Sequence, residues 1–137
     1  MSRVSLVLIL LGLSFIAGRF YGDNPSLATC IPKAILSLAF WITWYFIFCQ
    51  SHRLCQVAGL LAIIGALMKN IVLIANNGLM PNPAITEGRF TVGGNLAFLG
   101  DYYGGWSIGD FFLFTAFTLV FIGCLFLLAA KVKEPRI

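Results

Sequence analysis

The chain has 137 residues, of which 60% are hydrophobic and only 10% are charged. These proportions exclude an ordinary soluble domain, in which roughly half of the residues are apolar and about a quarter are charged. The formal net charge is +4, but the basic residues are scattered along the chain, so we expect no nucleic-acid partner. The solvent that suits this composition is a lipid bilayer, and we expect one transmembrane domain over 1–137.

Four apolar segments approach or exceed the length of about 20 residues that a helix needs to cross the bilayer. They run over 4–20, 34–50, 55–77 and 107–130. The first ends in small residues like a secretory signal, and we expect it to be a helix of the mature protein. The sequence therefore predicts an all-α integral membrane protein, a four-helix bundle with both termini on one side.

Basic residues indicate the orientation of these helices, because Lys and Arg are enriched in cytoplasmic loops. On the side of the termini lie Arg3, Arg53, Lys131, Lys133 and Arg136. On the other side lie Arg19, Lys33 and Arg89, partly offset by Asp23, Glu87 and Asp101. We therefore expect both termini in the cytoplasm.

The connection over 78–106 is long for so small a protein and is rich in glycine. Connections of this length are usually either functional or disordered. This one contains apolar and aromatic anchors, namely Phe90, Leu96, Phe98, Leu99, Tyr102, Tyr103 and Trp106. We therefore predict a long ordered outer loop, with a shallow re-entrant piece over 92–99.

Helix three carries polar side chains inside its apolar run, at Lys69, Asn70, Asn76 and Asn77. Such groups are energetically costly in a bilayer, so they mark either functional sites or hydrogen bonds between helices. A step of seven residues is nearly two helical turns, so Lys69 is expected to stack with Asn76, and Asn70 with Asn77. Small residues such as Gly65 let another helix approach, which predicts that this polar arc faces protein.

Helix four opens with Ser107 followed three residues later by Asp110, the spacing of a capping box. The same carboxylate, or that of Asp101, is expected to pair with Lys69 inside the membrane. The predicted intramembrane polar site consists of Lys69, Asn70, Asn76, Asn77, Ser107 and Asp110. Two carboxylates that share a proton can activate water, which makes Asp101 and Asp110 candidate catalytic residues.

Metal and cofactor chemistry has little support in the composition. The four cysteines form no C-x-x-C pair, and the chain has a single histidine, His52. We therefore expect no metal, no disulfide framework and no cofactor.

The sequence carries two resemblances to known families. The pattern A-N-x-G-x-M-P followed by S-[IV]-G-D resembles an uncharacterised family of small bacterial four-helix membrane proteins, and it extends from Gly59 onward. The matching positions are Asn76 or Asn77, Gly78, Met80, Pro81, Gly100, Asp101, Ser107, Gly109 and Asp110. Because that family has no established activity, the resemblance implies a topology and no reaction.

The second resemblance, to lipoprotein signal peptidase, is piecemeal. Its G-G-x-x-G-N-x-x-D-R and V-x-D-F motifs are similar to Gly93-Gly94-Asn95 and to Ile108-Gly109-Asp110-Phe111. No D-R follows these glycines, and the F-N-x-A-D motif is absent. The resemblance implies a membrane aspartyl peptidase that acts through Asp101 and Asp110.

Most polar features have a packing, capping or turn explanation, so the leading interpretation is a structural or accessory protein. Its expected partners are the lipid bilayer, the other subunits of a larger membrane complex, or a second copy of itself. Two alternatives remain: the aspartyl peptidase, and a protein that binds or transports a small ligand among Lys69, Asn70, Asn77 and Asp110.

Overall fold

The structure, a computed structural model, describes residues 2–50, 52–84, 88–101 and 106–133. The predicted outer loop 78–106 therefore falls partly outside the described residues, at 85–87 and 102–105. Of the side chains singled out in the sequence, Glu87, Tyr102, Tyr103 and Arg136 lie outside them.

Helices form 76% of the described residues, as the composition predicts. They are α1 (Arg3–Asp23), α2 (Leu27–Phe48), α3 (Arg53–Ala75) and α4 (Ile108–Lys133). Each of the four is long and apolar enough to cross a membrane. Between α3 and α4 lie β1 (Met80–Pro81), β2 (Phe90–Thr91) and a 3₁₀ helix (Ala97–Leu99), and the two strands pair in parallel with Met80 opposite Phe90.

The predicted start of the second helix at 34 is wrong, because α2 begins at Leu27. Ser26 and Thr29 form a capping box, in which each side-chain oxygen accepts from the backbone N–H of the other residue. This cap satisfies donors of the first turn and starts the helix early. The helix then continues through Pro32, which the sequence pattern assigns to a loop.

The predicted end of the third helix at 77 is also wrong, because α3 ends at Ala75. Asn77 and Gly78 have φ angles of 54° and 89°, in the left-handed region. The N–H of Gly78 donates to the Leu73 carbonyl at 2.7 Å, which closes a Schellman cap. Asn76 and Asn77 therefore belong to the cap and do not extend a polar arc along the helix.

Helix α3 is the central helix. In the most apolar 18-residue stretch of α3, 44% of the residues are buried, whereas the corresponding share in the other three helices is 6–17%. The exposed apolar faces of those three helices are suited to contact with lipid. A Cβ added to Gly65 on α3 would lie 2.6 Å from the Gly109 carbonyl oxygen on α4, and the reverse distance is also 2.6 Å. The predicted close approach of another helix to the small-residue face of α3 is confirmed.

A second packing region joins the end of α1, the start of α2, the end of α3 and the loop, and we call this end of the molecule the loop end. Its buried residues are Tyr21, Cys30, Val72, Leu73 and Met80, with Phe90 and Leu99 packed against them. The Tyr21 hydroxyl donates to the Gly78 carbonyl, which connects α1 to the α3 cap. These contacts position the polar side chains described next.

Candidate functional site at the loop end

An ion pair connects the two helices that pack most closely. The Nζ atom of Lys69 on α3 lies 2.6 Å from Oδ1 of Asp110 on α4, and the two side chains are 28% and 18% exposed. Both residues lie in helices that are long and apolar enough to cross a membrane, and an unpaired charge inside a bilayer is energetically costly. Of the two predicted pairings for Lys69, the one with Asp110 is confirmed.

The second oxygen of Asp110 caps its own helix. Oδ2 accepts from the Ser107 N–H at 2.9 Å and from the Ser107 hydroxyl at 2.7 Å, while the Asp110 N–H donates to Ser107 Oγ at 3.2 Å. The predicted capping box is therefore confirmed. Both carboxylate oxygens of Asp110 have partners, so this group is fixed as an anion at the start of α4.

A cavity of about 60 Å³ lies at the loop end, and we call it the loop-end cavity. Its lining residues are Tyr21, Lys33, Lys69, Leu73, Met80, Arg89 and Asp101. They come from α1, α2, α3 and the loop. The site is therefore assembled from segments that are distant in sequence.

Two of the lining cations have no carboxylate partner in the part of the chain that the structure describes. Lys33 Nζ lies 4.6 Å from the centroid of the Tyr21 ring, and the guanidinium carbon of Arg89 lies 5.2 Å from the centroid of the Phe90 ring. Among the described residues, no carboxylate oxygen lies within 4.0 Å of either cationic group. Aromatic faces stabilise these cations only in part, so Lys33 and Arg89 retain the capacity to bind an anion.

The lining carboxylate, Asp101, is also incompletely paired. Its side chain is 8% exposed, and within the described part of the chain its buried Oδ1 has no hydrogen-bond partner. Its backbone N–H donates to the Pro81 carbonyl at 2.8 Å, which fixes the residue against β1. A buried acceptor without a donor is unfavourable by about 1–3 kcal/mol, so Asp101 requires a hydrogen-bond donor.

Burial raises the pKa of the Asp101 carboxyl above its ordinary value of 3.8. The cation of Lys69 lowers this pKa, the anion of Asp110 raises it, and the cations of Arg89 and Lys33 lower it further. Burial exceeds the effect of the three cations, and in the described part of the chain none of them lies within 4.0 Å of the Asp101 carboxyl oxygens.

The predicted amides have other roles. The Asn76 side chain donates to the carbonyls of Val72 and Asn95 and accepts from the Asn95 N–H, so it holds the loop against the end of α3. Asn77 is exposed in the cap, and Asn70 is buried on α3 but is not among the residues that line the cavity. Of the predicted polar site, the structure brings together Lys69, Ser107 and Asp110.

Sequence reasoning missed three polar residues of the cavity, namely Tyr21, Lys33 and Arg89. A signal for two of them was present, because Lys33 and Arg89 are basic residues on the side that the sequence predicts to be the outer one, where such residues are depleted. A basic residue in a region where Lys and Arg are depleted indicates a specific function at that position, such as binding a charged group. Nothing in the sequence distinguishes Tyr21 from the other interfacial aromatic residues.

The described residues contain no group of three or more His, Cys, Asp or Glu side chains that could hold a metal ion. Cys30, Cys49, Cys55 and Cys124 are free thiols. Burial raises the pKa of the Cys49 thiol to about 11, and the nearby Cys55 adds to this rise, so Cys49 is a poor nucleophile at neutral pH.

Replacing Lys69 tests the ion pair. We expect Lys69→Met to lower the free energy of unfolding by about 1–3 kcal/mol, because Asp110 loses its charged partner. The double variant Lys69→Met/Asp110→Asn should lose less than the sum of the single variants. Unfolding in mixed micelles measures the free energies of the single and double variants. Arg53→Met is the control, because it removes an exposed cation at the start of α3. Equal stability of Lys69→Met and the wild type would contradict a stabilising pair.

The raised pKa of Asp101 predicts a pH dependence of stability. Because the folded-state pKa exceeds the unfolded value near 3.8, the stabilisation is complete below the unfolded pKa and is lost as pH rises through the folded pKa. We expect the thermal midpoint of the wild type to fall by a few degrees over this window, and Asp101→Asn to remove the fall. Asp23→Asn, which changes an exposed carboxylate at the same end, should retain it. An unchanged pH profile in Asp101→Asn would contradict this assignment.

Compared with known protein families, with curated proteins and with solved structures, the chain matches none of them. The two resemblances drawn from the sequence motifs therefore stay predictions. The geometry of the loop-end cavity is the basis for a proposal about function.

Proposed function

We propose that this chain is a multi-pass membrane protein that binds a small oxyanion, a phosphate or carboxylate group, in the loop-end cavity. One observation carries the proposal. Within the described ranges, the cavity has two cations without carboxylate partners, Lys33 and Arg89, and a buried carboxylate oxygen of Asp101 without a donor. A phosphate or carboxylate oxyanion accepts from the two cations, and one that also carries a hydroxyl, as inorganic phosphate does, can donate to the Asp101 carboxylate as well.

The charges of the site favour an anion. Lys33, Lys69 and Arg89 contribute three positive charges, and Asp101 and Asp110 at most two negative charges. The pair between Lys69 and Asp110 cancels within itself, which leaves Lys33 and Arg89 facing one incompletely paired carboxyl. Attraction of an anion to these cations is stronger at the low-dielectric edge of a membrane than in water.

The size of the cavity suits a small group. One water molecule needs about 10–15 Å³ of cavity volume. The loop-end cavity, of about 60 Å³, therefore has room for about four to six water-sized groups. A phosphate group has five heavy atoms and a carboxylate three. Water alone would also satisfy the polar atoms, and the binding experiment below distinguishes it from an anion.

We place the chain in the bacterial inner membrane, with both termini in the cytoplasm. The support is the excess of basic residues on the side of the termini together with four helices of sufficient length and hydropathy. In this arrangement α1 packs against α2, α2 against α3 and α3 against α4, and the loop end faces away from the cytoplasm. The cavity is then accessible from the outer surface of the inner membrane.

Labelling of introduced cysteines tests this orientation. In a Cys124→Ser background, where the remaining cysteines are buried, we expect an impermeant maleimide to label Val92→Cys in spheroplasts. Gln50→Cys, an exposed residue between α2 and α3, should react only after permeabilisation. The opposite pattern would contradict the orientation, and labelling of both positions in intact spheroplasts would contradict the four crossings.

The aspartyl-peptidase alternative receives less support. A catalytic dyad needs both carboxyl groups free to share a proton and one water, whereas Asp110 uses both of its oxygens for Lys69 and Ser107. The accessory-subunit interpretation draws on the exposed apolar faces of the helices. Contact with lipid accounts for these faces as well, so we favour ligand binding over both.

Titration with inorganic phosphate and with acetate tests the proposal. In an uncharged detergent, we expect saturable binding of at least one of the two anions and a rise in thermal midpoint. Lys33→Gln and Arg89→Gln should each weaken binding roughly tenfold or more, since a hydrogen bond to a charged group contributes about 1.5–3 kcal/mol. Calorimetry measures the affinities.

Arg53→Gln is the matched control. It removes the same charge at the start of α3, about 24 Å along the helix from Lys69, and should leave the affinity unchanged. An equal loss in Arg53→Gln would indicate non-specific attraction and contradict the proposal. Absence of saturable binding by the wild-type protein to both anions, and to any lipid phosphate, would also contradict it.

A further inference from the structure

A groove of about 390 Å³ lies beside the loop-end cavity, and we call it the α1 groove. It lies between the C-terminal part of α1 and the segment around β2. Its lining residues are Gly18, Arg19, Gly22 and Asp23 on α1, and Gly88, Arg89 and Phe90 around β2. Arg89 lines both the groove and the cavity. The groove and the cavity therefore meet at one cationic side chain.

On the α1 side, the groove is lined partly by glycine backbone, because Gly18 and Gly22 have no side chains to fill it. Gly18 and Gly22 are four residues apart, about one helical turn or 6 Å, and a Cβ built on either meets no other atom within 4 Å. The space is therefore open and is not filled by a neighbouring helix. Since α1 is a membrane-spanning segment, this space extends from membrane depth to the polar Arg19 and Arg89.

The polar end of the site requires a ligand with two properties. Lys33 and Arg89 require an acceptor with negative charge, whereas the unpartnered Oδ1 of Asp101, on a side chain that is 8% exposed, requires a donor. A phosphate diester is an anion without a donor of its own. A headgroup that combines a phosphate diester with a hydroxyl or a protonated amine satisfies both requirements at once.

We propose that the ligand is a phospholipid whose headgroup carries a hydrogen-bond donor, and that it reaches the loop-end cavity laterally along the α1 groove. The phosphate binds Lys33 and Arg89, the headgroup hydroxyl or ammonium donates to Asp101, and the glycerol and upper acyl chain lie against Gly18 and Gly22. This inference rests on the proposed function, because it names the molecule that carries the oxyanion. A soluble phosphate would use the cavity and have no need of a groove at membrane depth.

Short-chain lipids in detergent provide the test. We expect dihexanoyl phosphatidylglycerol, which has headgroup hydroxyls, to bind at least tenfold more tightly than dihexanoyl phosphatidylcholine, whose quaternary ammonium has no N–H to donate. Asp101→Asn should reduce this preference several-fold. Calorimetry measures the affinities, and inorganic phosphate is titrated in parallel with every variant.

Substitution of the groove glycines separates the lipid from the free anion. Gly18→Leu and Gly22→Leu should weaken binding of phosphatidylglycerol at least tenfold and leave binding of inorganic phosphate unchanged. Gly12→Leu is the control, because Gly12 also lies on α1 with open space around its Cβ position but does not line the groove. Circular dichroism of all three variants checks that the helices are retained.

The outcomes are distinguishable. Binding of phosphatidylglycerol that Gly18→Leu abolishes and Gly12→Leu preserves supports the inference. Binding of inorganic phosphate with no preference for phosphatidylglycerol, or with no effect of Gly18→Leu on lipid affinity, overturns the inference and leaves the proposed function standing. Failure of inorganic phosphate, acetate and both lipids to bind overturns the proposed function and the inference together.

Discussion

The ion pair between Lys69 and Asp110 is the interaction on which the loop end depends. A charge within a membrane-spanning helix needs a partner, and at 2.6 Å each of these two residues provides it for the other. The pair forms only because Gly65 and Gly109 allow α3 and α4 to approach. The small-residue contact and the polar contact therefore require each other, and together they fix where α4 begins relative to the end of α3.

The ion pair between Lys69 and Asp110 also determines which charged groups of the loop-end cavity remain available to a ligand. With Asp110 occupied by Lys69 and by its own helix cap, the only other carboxylate among the described residues of the site is Asp101, which faces more positive charge than it can neutralise. A symmetrical pair of carboxylates would favour proton sharing and hydrolysis. One fixed anion and one incompletely paired carboxyl, together with surplus cations, favour recognition of an anion.

The elements that sequence predicts well are those set by local chemistry. The apolar segments predict four long helices, and the Ser107–Asp110 spacing predicts a cap that depends only on residues three apart. The errors at the start of α2 and the end of α3 have a common cause, because prolines and amides are compatible with both a helix and a turn. Local caps decide between them, at Ser26 for α2 and at Gly78 for α3, and these two caps lie in contact, since a Cβ on Gly78 would clash with the Ser26 backbone. The cavity is harder to predict, since Lys33 and Arg89 meet only after the chain folds.

The loop positions two of the charged residues that line the loop-end cavity, Arg89 and Asp101. The Met80 N–H donates to the Arg89 carbonyl at 2.8 Å, and the Asp101 N–H donates to the Pro81 carbonyl, so the short β1 strand fixes the backbone of both Arg89 and Asp101. Hydrogen bonds between Asn76 and Asn95 hold the rest of the loop against α3. Helices in lipid provide a rigid frame with few polar groups to spare. A polar loop packed over their ends can therefore present a cation and a carboxyl to one cavity without exposing either to the hydrocarbon.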